Sequence, residues 1–202
     1  MESLQSEVKT AYKSLMERRK IKYIIEQDKF DFSPIETKLG FKLHRDLKAF
    51  YNSYSSKANE DDMSNDGIYI KGELEITASS QSQYLVPLKD PHSLFVYLEK
   101  NDNMDEDGLF SLDFVKILDG VSLESRIEYD QNNWRADEWK NISPQLFFIG
   151  EIGCDMGEIA IILDNNDGKL YWYDFGYGEE ELQKVPKGLL ANSLAELLNE
   201  IR

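Results

Sequence analysis

The chain has 202 residues, a length typical of one domain, and its apolar and aromatic fractions of 41% and 12% indicate a folded core. Its formal net charge of −15 disfavours nucleic acid and anionic membranes as partners, because both repel an acidic surface. The single cysteine cannot form an internal disulfide, and the charged first 20 residues contain no apolar run of signal or membrane-helix length. We therefore expect a soluble cytoplasmic protein with one domain over residues 1–202; the sequence does not indicate an oligomeric state.

Three amphipathic helices are predicted from apolar residues that recur at three- and four-residue steps. They cover residues 3–18, 44–54 and a C-terminal segment that begins after Ser193, a good N-cap residue. In the last of these, the residues expected to face inward are Leu194, Leu197, Leu198 and Ile201.

A further short helix is predicted to begin at Ser33. Serine is a favoured N-cap, Pro34 suits the first helical position, and Glu36 stands three residues after the serine, which is the spacing of a capping box. Gly40 is expected to end this helix. The helix and the one over residues 44–54 are then expected to pack as a pair on a sheet.

The middle of the chain gives weaker signals. Residues 67–78 alternate as one strand, or as two strands that meet at a glycine, and residues 84–88 are a further strand candidate. Residues 91–100 suit a helix. Residues 109–129 mix strand and helix signals and support neither, and residues 130–141 are expected to form a loop or a single helical turn.

The strongest pattern in the chain is a β-hairpin within residues 147–175. Residues 158–163 are almost continuously apolar, and residues 169–175 are aromatic and alternating. The intervening residues 164–168 (DNNDG) favour a tight turn. An uninterrupted apolar strand is expected to be buried on both faces, so a packed sheet should surround it. The glycine-rich residues 153–157 before it, which include Cys154, are predicted to be a loop.

No catalytic, metal or cofactor site is predicted. His44 and His92 do not lie in a motif with a nucleophile, and acidic neighbours disfavour a reactive thiolate at Cys154. Three His and Cys residues are too few for a zinc site. The acidic residues 103–108 resemble the start of a calcium loop, but Phe114 stands where the bidentate glutamate belongs.

Two long segments of the chain carry recognisable motifs. The motif positions in residues 35–54 are Ile35, Glu36, Leu39, Gly40, Leu43, Asp46, Leu47, Phe50 and Tyr54. Those in residues 147–175 include Ile149, Gly150, Gly153, Gly157, Gly168, Tyr171, Trp172, Tyr173 and Asp174. With these residues the chain resembles the SUKH superfamily, which includes the fungal cell-wall assembly (glucan synthesis) regulators. Residues 35–54 resemble its helix pair, residues 147–175 resemble its glycine-rich segment, apolar strand, turn and aromatic strand, and residues 192–198 resemble its closing helix.

The chain also departs from the family pattern. His44 stands where proline is usual, Ser55 and Ser56 replace the Asn-Gly that ends the helix, and Leu194 replaces an aromatic residue. Residues 89–141 match poorly and are expected to be an insertion.

The resemblance implies an α+β fold, with a single mostly antiparallel sheet and helices packed on it. It also implies a non-enzymatic protein-binding domain. Most bacterial members look like immunity proteins that neutralise a cognate polymorphic or contact-dependent toxin, often a nuclease. A basic toxin would be attracted to a surface as acidic as this one.

Three acidic loops are the expected toxin-binding residues, although acidic loops also occur simply as solvated surface that maintains solubility. Their residues are Glu60, Asp61, Asp62 and Asp66, then Asp102, Asp105, Glu106 and Asp107, and finally Glu179, Glu180 and Glu181.

An alternative function is a regulatory scaffold or small-ligand binder. It would use the aromatic residues 171–175, with Trp134, Trp139 and Trp172 around a pocket, although core filling is the commoner use of tryptophan. An enzyme is less favoured, and it would need two carboxylates that face one cleft.

Overall fold

The computed structural model of the protein describes residues 4–18, 31–52, 69–75, 109–115, 123–132, 142–154, 157–175 and 184–200. These residues form five helices and six strands. In chain order they are α1 (Leu4–Arg18), α2 (Ser33–Leu39), α3 (Arg45–Asn52), β1 (Tyr69–Glu75), β2 (Leu109–Val115), α4 (Leu123–Asn132), β3 (Leu146–Cys154), β4 (Gly157–Asp164), β5 (Leu170–Asp174), β6 (Lys187–Ala191) and α5 (Leu194–Glu200).

All six strands form one antiparallel sheet in which the spatial order equals the chain order, β1-β2-β3-β4-β5-β6. Strands that are consecutive in the chain therefore pair with each other, and β1 and β6 lie at the two edges of the described sheet. The predicted α+β class, with a single antiparallel sheet and helices packed on it, is confirmed.

The central strand β4 is buried on both faces of the sheet, as its continuous apolar sequence predicts. Ile159, Ile161 and Leu163 lie in the apolar core between the sheet and the helices, which we call the helix-side core. Ala160 and Ile162 lie in a second apolar cluster on the opposite face of the sheet. Residues that the helices contribute to the helix-side core include Val8, Ala11, Leu15, Ile35, Leu47, Phe50, Ile127, Leu194, Leu197 and Leu198.

A β-bulge in β3 sets which side chains reach the helix-side core. The register with β4 shifts between Phe148 and Gly150, so Ile149 is the extra residue. In a regular strand, Ile152 would lie on the same face as Phe148, because side chains alternate. With the bulge, Ile152 lies opposite Ile159 and both are buried in the helix-side core.

The helices pack on one another as well as on the sheet. α1 contacts both α3 and α5, and α4 contacts β3. Arg18 at the end of α1 donates a hydrogen bond from Nη2 to the Leu198 carbonyl at 3.0 Å. This contact joins the N-terminal helix to the C-terminal helix of the described chain.

The helices predicted at both ends and over residues 44–54 are present, although α3 spans Arg45–Asn52. The predicted cap at Ser193 is confirmed, because its Oγ accepts the Glu196 N–H at 3.1 Å. The hairpin is also confirmed as β4, the turn at residues 164–169 and β5. Residues 109–129, which the sequence left undecided, contain β2 and most of α4.

The capping box predicted for α2 is wrong. The N-cap residue is Phe32, which makes no side-chain cap hydrogen bond. The Ser33 N–H donates to Asp31 Oδ1 at 2.9 Å, and the Glu36 carboxylate is engaged with residues beyond the helix. The predicted end of the helix is confirmed, since Gly40 adopts the left-handed conformation with φ of 79°.

Residues 69–75 form one strand that passes through Gly72, so the first of the two alternatives predicted for residues 67–78 is confirmed there. One further prediction needs correction. Cys154, predicted to lie in a loop, instead ends β3, because it pairs with Gly157 of β4 and residues 150–153 before it pair with both β2 and β4. The strand predicted at residues 84–88 and the helix at residues 91–100 lie outside the described residues.

Candidate functional site: the α2–α3 corner and the β4–β5 turn

All the acidic residues predicted to bind a partner lie outside the described residues. They are Glu60, Asp61, Asp62, Asp66, Asp102, Asp105, Glu106, Asp107, Glu179, Glu180 and Glu181. The polar groups that the structure does bring together lie elsewhere, where the corner between α2 and α3 meets the turn between β4 and β5. We call residues 40–44 the corner and residues 164–169 the hairpin turn.

Asn165 joins the corner to the hairpin turn. Its Oδ1 accepts the His44 backbone N–H at 2.5 Å, and its Nδ2 donates to the Lys42 carbonyl at 2.9 Å. The same Nδ2 donates to Gln145 Oε1 at 2.7 Å. Asn165 is buried, so these bonds satisfy polar groups that water does not reach freely.

The hairpin turn is held in shape by its own backbone. The Gly168 N–H donates to the Asp164 carbonyl at 2.8 Å, and the Asp164 N–H donates to the Lys169 carbonyl at 2.9 Å. Asp164 Oδ1 also accepts the Asn166 N–H at 2.8 Å, the local bond that makes Asp and Asn favourable in turns. A rigid turn of this kind presents Asn165 to the corner in a fixed position.

Gly168 allows the hairpin turn to approach His44 closely. Its φ is 74°, a conformation that favours glycine. A Cβ at this position would also overlap the His44 imidazole, with both ring nitrogens 2.7 Å away. Glycine is therefore required here both by the backbone conformation and by the neighbouring ring.

Glu36 is a buried carboxylate that accepts three hydrogen bonds or ion pairs from the chain that follows α2. Its Oε1 accepts the Leu43 N–H at 3.0 Å and lies 2.5 Å from Lys48 Nζ. Its Oε2 lies 2.8 Å from Lys42 Nζ. The carboxylate thus ties α2 to the corner and to α3.

The pKa of Glu36 reflects these partners. Burial acts to raise it, but the bonds from Lys42, Lys48 and the Leu43 N–H outweigh burial and lower the pKa from 4.5 to about 2. The carboxylate is therefore charged at neutral pH. Because its charge is matched within the fold, Glu36 acts as a structural anion and is poorly suited to accept a proton from a substrate.

His44 lies directly before α3 and caps its N-terminus. The imidazole Nδ1 accepts the Asp46 backbone N–H at 3.2 Å, and the His44 carbonyl accepts the Lys48 N–H at 3.0 Å. Burial is the largest influence on the pKa of His44 and lowers it from 6.5. The ring has a packing and capping role in this position.

The aromatic strand β5 is divided between the two faces of the sheet. Trp172 is 1% exposed and lies in the helix-side core, so it fills the core and does not line an open pocket. Tyr173 lies on the opposite face, stacked on Phe175 with ring centroids 5.7 Å apart, and Lys187 Nζ lies 5.4 Å from its ring. Burial raises the pKa of Tyr173 to about 12. Trp134 and Trp139 lie outside the described residues.

Within the described part of the chain, no group of three His, Cys, Asp or Glu side chains is placed to hold a metal ion. None of the helices in those same ranges is both long enough and apolar enough to cross a membrane.

The sequence patterns did not identify the contact between Asn165 and the corner. Asn165 fits the turn pattern by itself, and no local signal indicates that a segment more than 100 residues away needs its amide. The one available signal was the resemblance, which singled out the two segments that meet here.

Comparisons with known proteins give no relative: no family model matches the chain, and no curated protein or solved structure is significantly similar to it.

Proposed function

We propose that this protein is a non-enzymatic, SUKH-type protein-binding domain that acts as an immunity protein. It would bind and neutralise a cognate toxin, with a basic nuclease as the favoured class, through its acidic surface. The observation that supports this proposal best is the contact between the two segments that resemble the superfamily. Residues 35–54 and 147–175 are far apart in the chain, yet they meet through Asn165 and through an edge-to-face contact of Phe41 with Phe147 at 6.4 Å.

The roles of individual motif residues add support. Gly40 and Gly168 both have the positive φ that favours glycine, and Glu36 is a buried carboxylate with dedicated partners. Leu47 and Phe50 lie in the helix-side core. Each of these residue types is thus required by the local geometry, as expected if the motif specifies a shared fold.

The charge of the chain favours a basic partner. A net charge of −15 accelerates encounter with a cationic protein and disfavours acidic competitors. Many toxins that act on nucleic acid carry basic active-site surfaces, because they must bind phosphate backbones. An acidic inhibitor that covers such a surface needs shape and charge but no catalytic group.

The test is to sequence the genes beside this one and to co-express the chain with any toxin-like domain that they encode. We expect this chain to restore growth and the purified proteins to form a complex whose association slows as salt is raised. Charge reversal at all three acidic loops should then slow association and flatten its salt dependence. If no neighbouring toxin domain binds the chain, the immunity function is wrong.

A matched control separates a specific acidic interface from overall charge. Glu7 and Glu17 are exposed on α1, so Glu7→Lys with Glu17→Lys changes the net charge by the same amount at residues that are not among the predicted acidic loops. We expect this pair to slow association much less than reversal of two glutamates at residues 179–181. Equal slowing would mean that net charge alone attracts the partner and that the acidic loops are not the interface.

A further inference from the structure

The first backbone N–H groups of a helix have no partner within the helix, and a side chain before the helix usually accepts one of them. At α3 this acceptor is the imidazole of His44, whose Nδ1 accepts the Asp46 N–H at 3.2 Å. Serine, threonine, aspartate and asparagine are the residues that usually occupy this position. Histidine differs from all of them because its ring changes charge near neutral pH.

The hydrogen bond defines the protonation state of the ring. A backbone N–H can only donate, so Nδ1 must hold a lone pair and the neutral ring must carry its proton on Nε2. Protonation would place a hydrogen on Nδ1, opposite the Asp46 N–H. The cap therefore exists only in the neutral form of His44.

The His44 ring has little freedom to turn away from this position. Gly168 in the hairpin turn lies against it so closely that a Cβ would overlap the ring. The backbone N–H of His44 is held by Asn165 Oδ1 at 2.5 Å. Protonation or displacement of the ring therefore affects its contacts with both α3 and the hairpin turn.

Charged groups on α3 and on the hairpin turn face the ring, and some of them raise its pKa while others lower it. Burial, the largest influence, lowers the pKa of His44, and Arg45 on α3 lowers it further. Asp46 on α3 raises the pKa, as do Asp164 and Asp167 in the hairpin turn, where Asp167 is paired with Lys169. The balance lies below the ordinary value of 6.5.

We propose that His44 is a protonation-sensitive cap that couples α3 to the hairpin turn, so that acidification releases the first turn of α3 and loosens the contact between the corner and the hairpin turn. Because the folded-state pKa is lower than the unfolded one, the unfolded chain binds the proton more readily. The contribution of the cap to stability is therefore complete above about pH 6.5, the ordinary pKa of histidine, and is lost as the pH falls from there through the folded-state pKa.

The first test reads the ring directly. The chain has only two histidines, so His92→Asn leaves His44 as the single histidine signal in a nitrogen-15 correlation spectrum. At pH 7.5 we expect Nδ1 unprotonated and Nε2 protonated, with a titration midpoint below 6.5. The protection of the Asp46 amide from hydrogen exchange should fall roughly fivefold with the same midpoint, as expected when a cap is lost. A proton on Nδ1 at pH 7.5, a midpoint at 6.5 or higher, or amide protection that does not follow the titration would each overturn the proposal.

The second test uses a cap that does not titrate. His44→Asn should keep the cap and remove the loss of thermal stability between pH 7 and pH 5, whereas the matched variant His92→Asn should retain that loss. If the loss persists in His44→Asn, or disappears in His92→Asn instead, His44 is not the sensitive group. Should His44→Asn fail to fold, the ring titration in His92→Asn decides the matter alone.

Discussion

Asn165 Oδ1 accepts the backbone N–H of His44 at 2.5 Å, although 121 positions separate the two residues in the chain. Through the second half of its amide, Asn165 also satisfies the Lys42 carbonyl. One side chain thus forms hydrogen bonds with both a donor, the His44 N–H, and an acceptor, the Lys42 carbonyl, in a segment between two helices. Together with the contact of Phe41 with Phe147, these bonds join the segment around α2 and α3 to the central strands.

Asn165→Ala should therefore destabilise the protein by about 2–3 kcal/mol, because it leaves the partly buried His44 N–H and Lys42 carbonyl without this partner. The matched control is Asn166→Ala in the same turn, where the side chain is exposed and bonds only locally to Asp164. We expect the control to change the free energy of unfolding by no more than about 0.5 kcal/mol. Urea denaturation measures both. Equal effects would mean that the Asn165 amide does not hold the corner.

Gly168→Ala should be more costly than Gly40→Ala, although the two glycines have almost the same φ, 74° and 79°. A Cβ added at Gly40 would meet nothing within 4 Å, so this substitution reports conformational strain alone, about 1 kcal/mol. At Gly168 the new methyl group meets the His44 ring, which should add about 1–3 kcal/mol. Urea denaturation of the two variants measures the difference.

The contribution of the His44 ring to the cost of Gly168→Ala can be isolated by truncating the ring. In a His44→Ala background, the cost of Gly168→Ala should fall to that of Gly40→Ala, because the overlap no longer exists. If the cost of Gly168→Ala is unchanged in that background, the overlap with His44 does not limit residue 168.

Local patterns were sufficient to predict much of this fold. The apolar residues 158–163, the turn residues and the alternating aromatic residues define the hairpin by themselves, and both faces of β4 are buried as expected. The helix ends at Gly40 and Ser193 were also predictable, because each depends on one residue and its immediate neighbours.

The errors arise where a distant partner competes with a local one. Glu36 has the spacing of a capping box with Ser33, but Lys48 and the Leu43 N–H provide stronger partners once the chain turns at Gly40. The bulge at Ile149 also has no local sequence signal. Its effect is seen only across the sheet, where it turns the Ile152 side chain to the face that the helices cover. The candidate site consists of such distant contacts, so sequence patterns alone could not assemble it.

The two predicted N-cap residues, Ser193 at α5 and Ser33 at α2, should differ in their contribution to the free energy of unfolding. Ser193→Ala should cost about 1 kcal/mol, because Ser193 Oγ accepts the Glu196 N–H and Glu196 Oε2 accepts the Asn192 N–H in return. Ser33→Ala should cost no more than about 0.5 kcal/mol, since Ser33 does not cap α2. A cost at Ser33 as large as that at Ser193 would restore the capping box predicted for α2.

The two lysines beside Glu36 should contribute unequally. The Lys42 side chain is 80% exposed, so water screens its ion pair with Glu36. The Lys48 side chain is only 25% exposed, so its ion pair with Glu36 is screened less. We expect Lys48→Met to destabilise the protein by about 1–3 kcal/mol and Lys42→Met by no more than about 1 kcal/mol. Thermal denaturation at two salt concentrations checks this, because the smaller effect should also be the more sensitive to salt.

Glu36 should make stability depend on acid pH in a window separate from that of His44. Its folded-state pKa of about 2 lies below the ordinary 4.5, so its contribution is complete above pH 4.5 and is lost as the pH falls towards 2. A shift of this size corresponds to as much as about 3 kcal/mol, which Glu36→Gln should remove at pH 7. The gap in unfolding free energy between wild type and Glu36→Gln should therefore narrow between pH 4.5 and pH 3, because in this range the unfolded wild-type chain takes up a proton while the folded carboxylate stays charged. A gap for Glu36→Gln that stays constant down to pH 3 would mean that the lysines do not hold its pKa low.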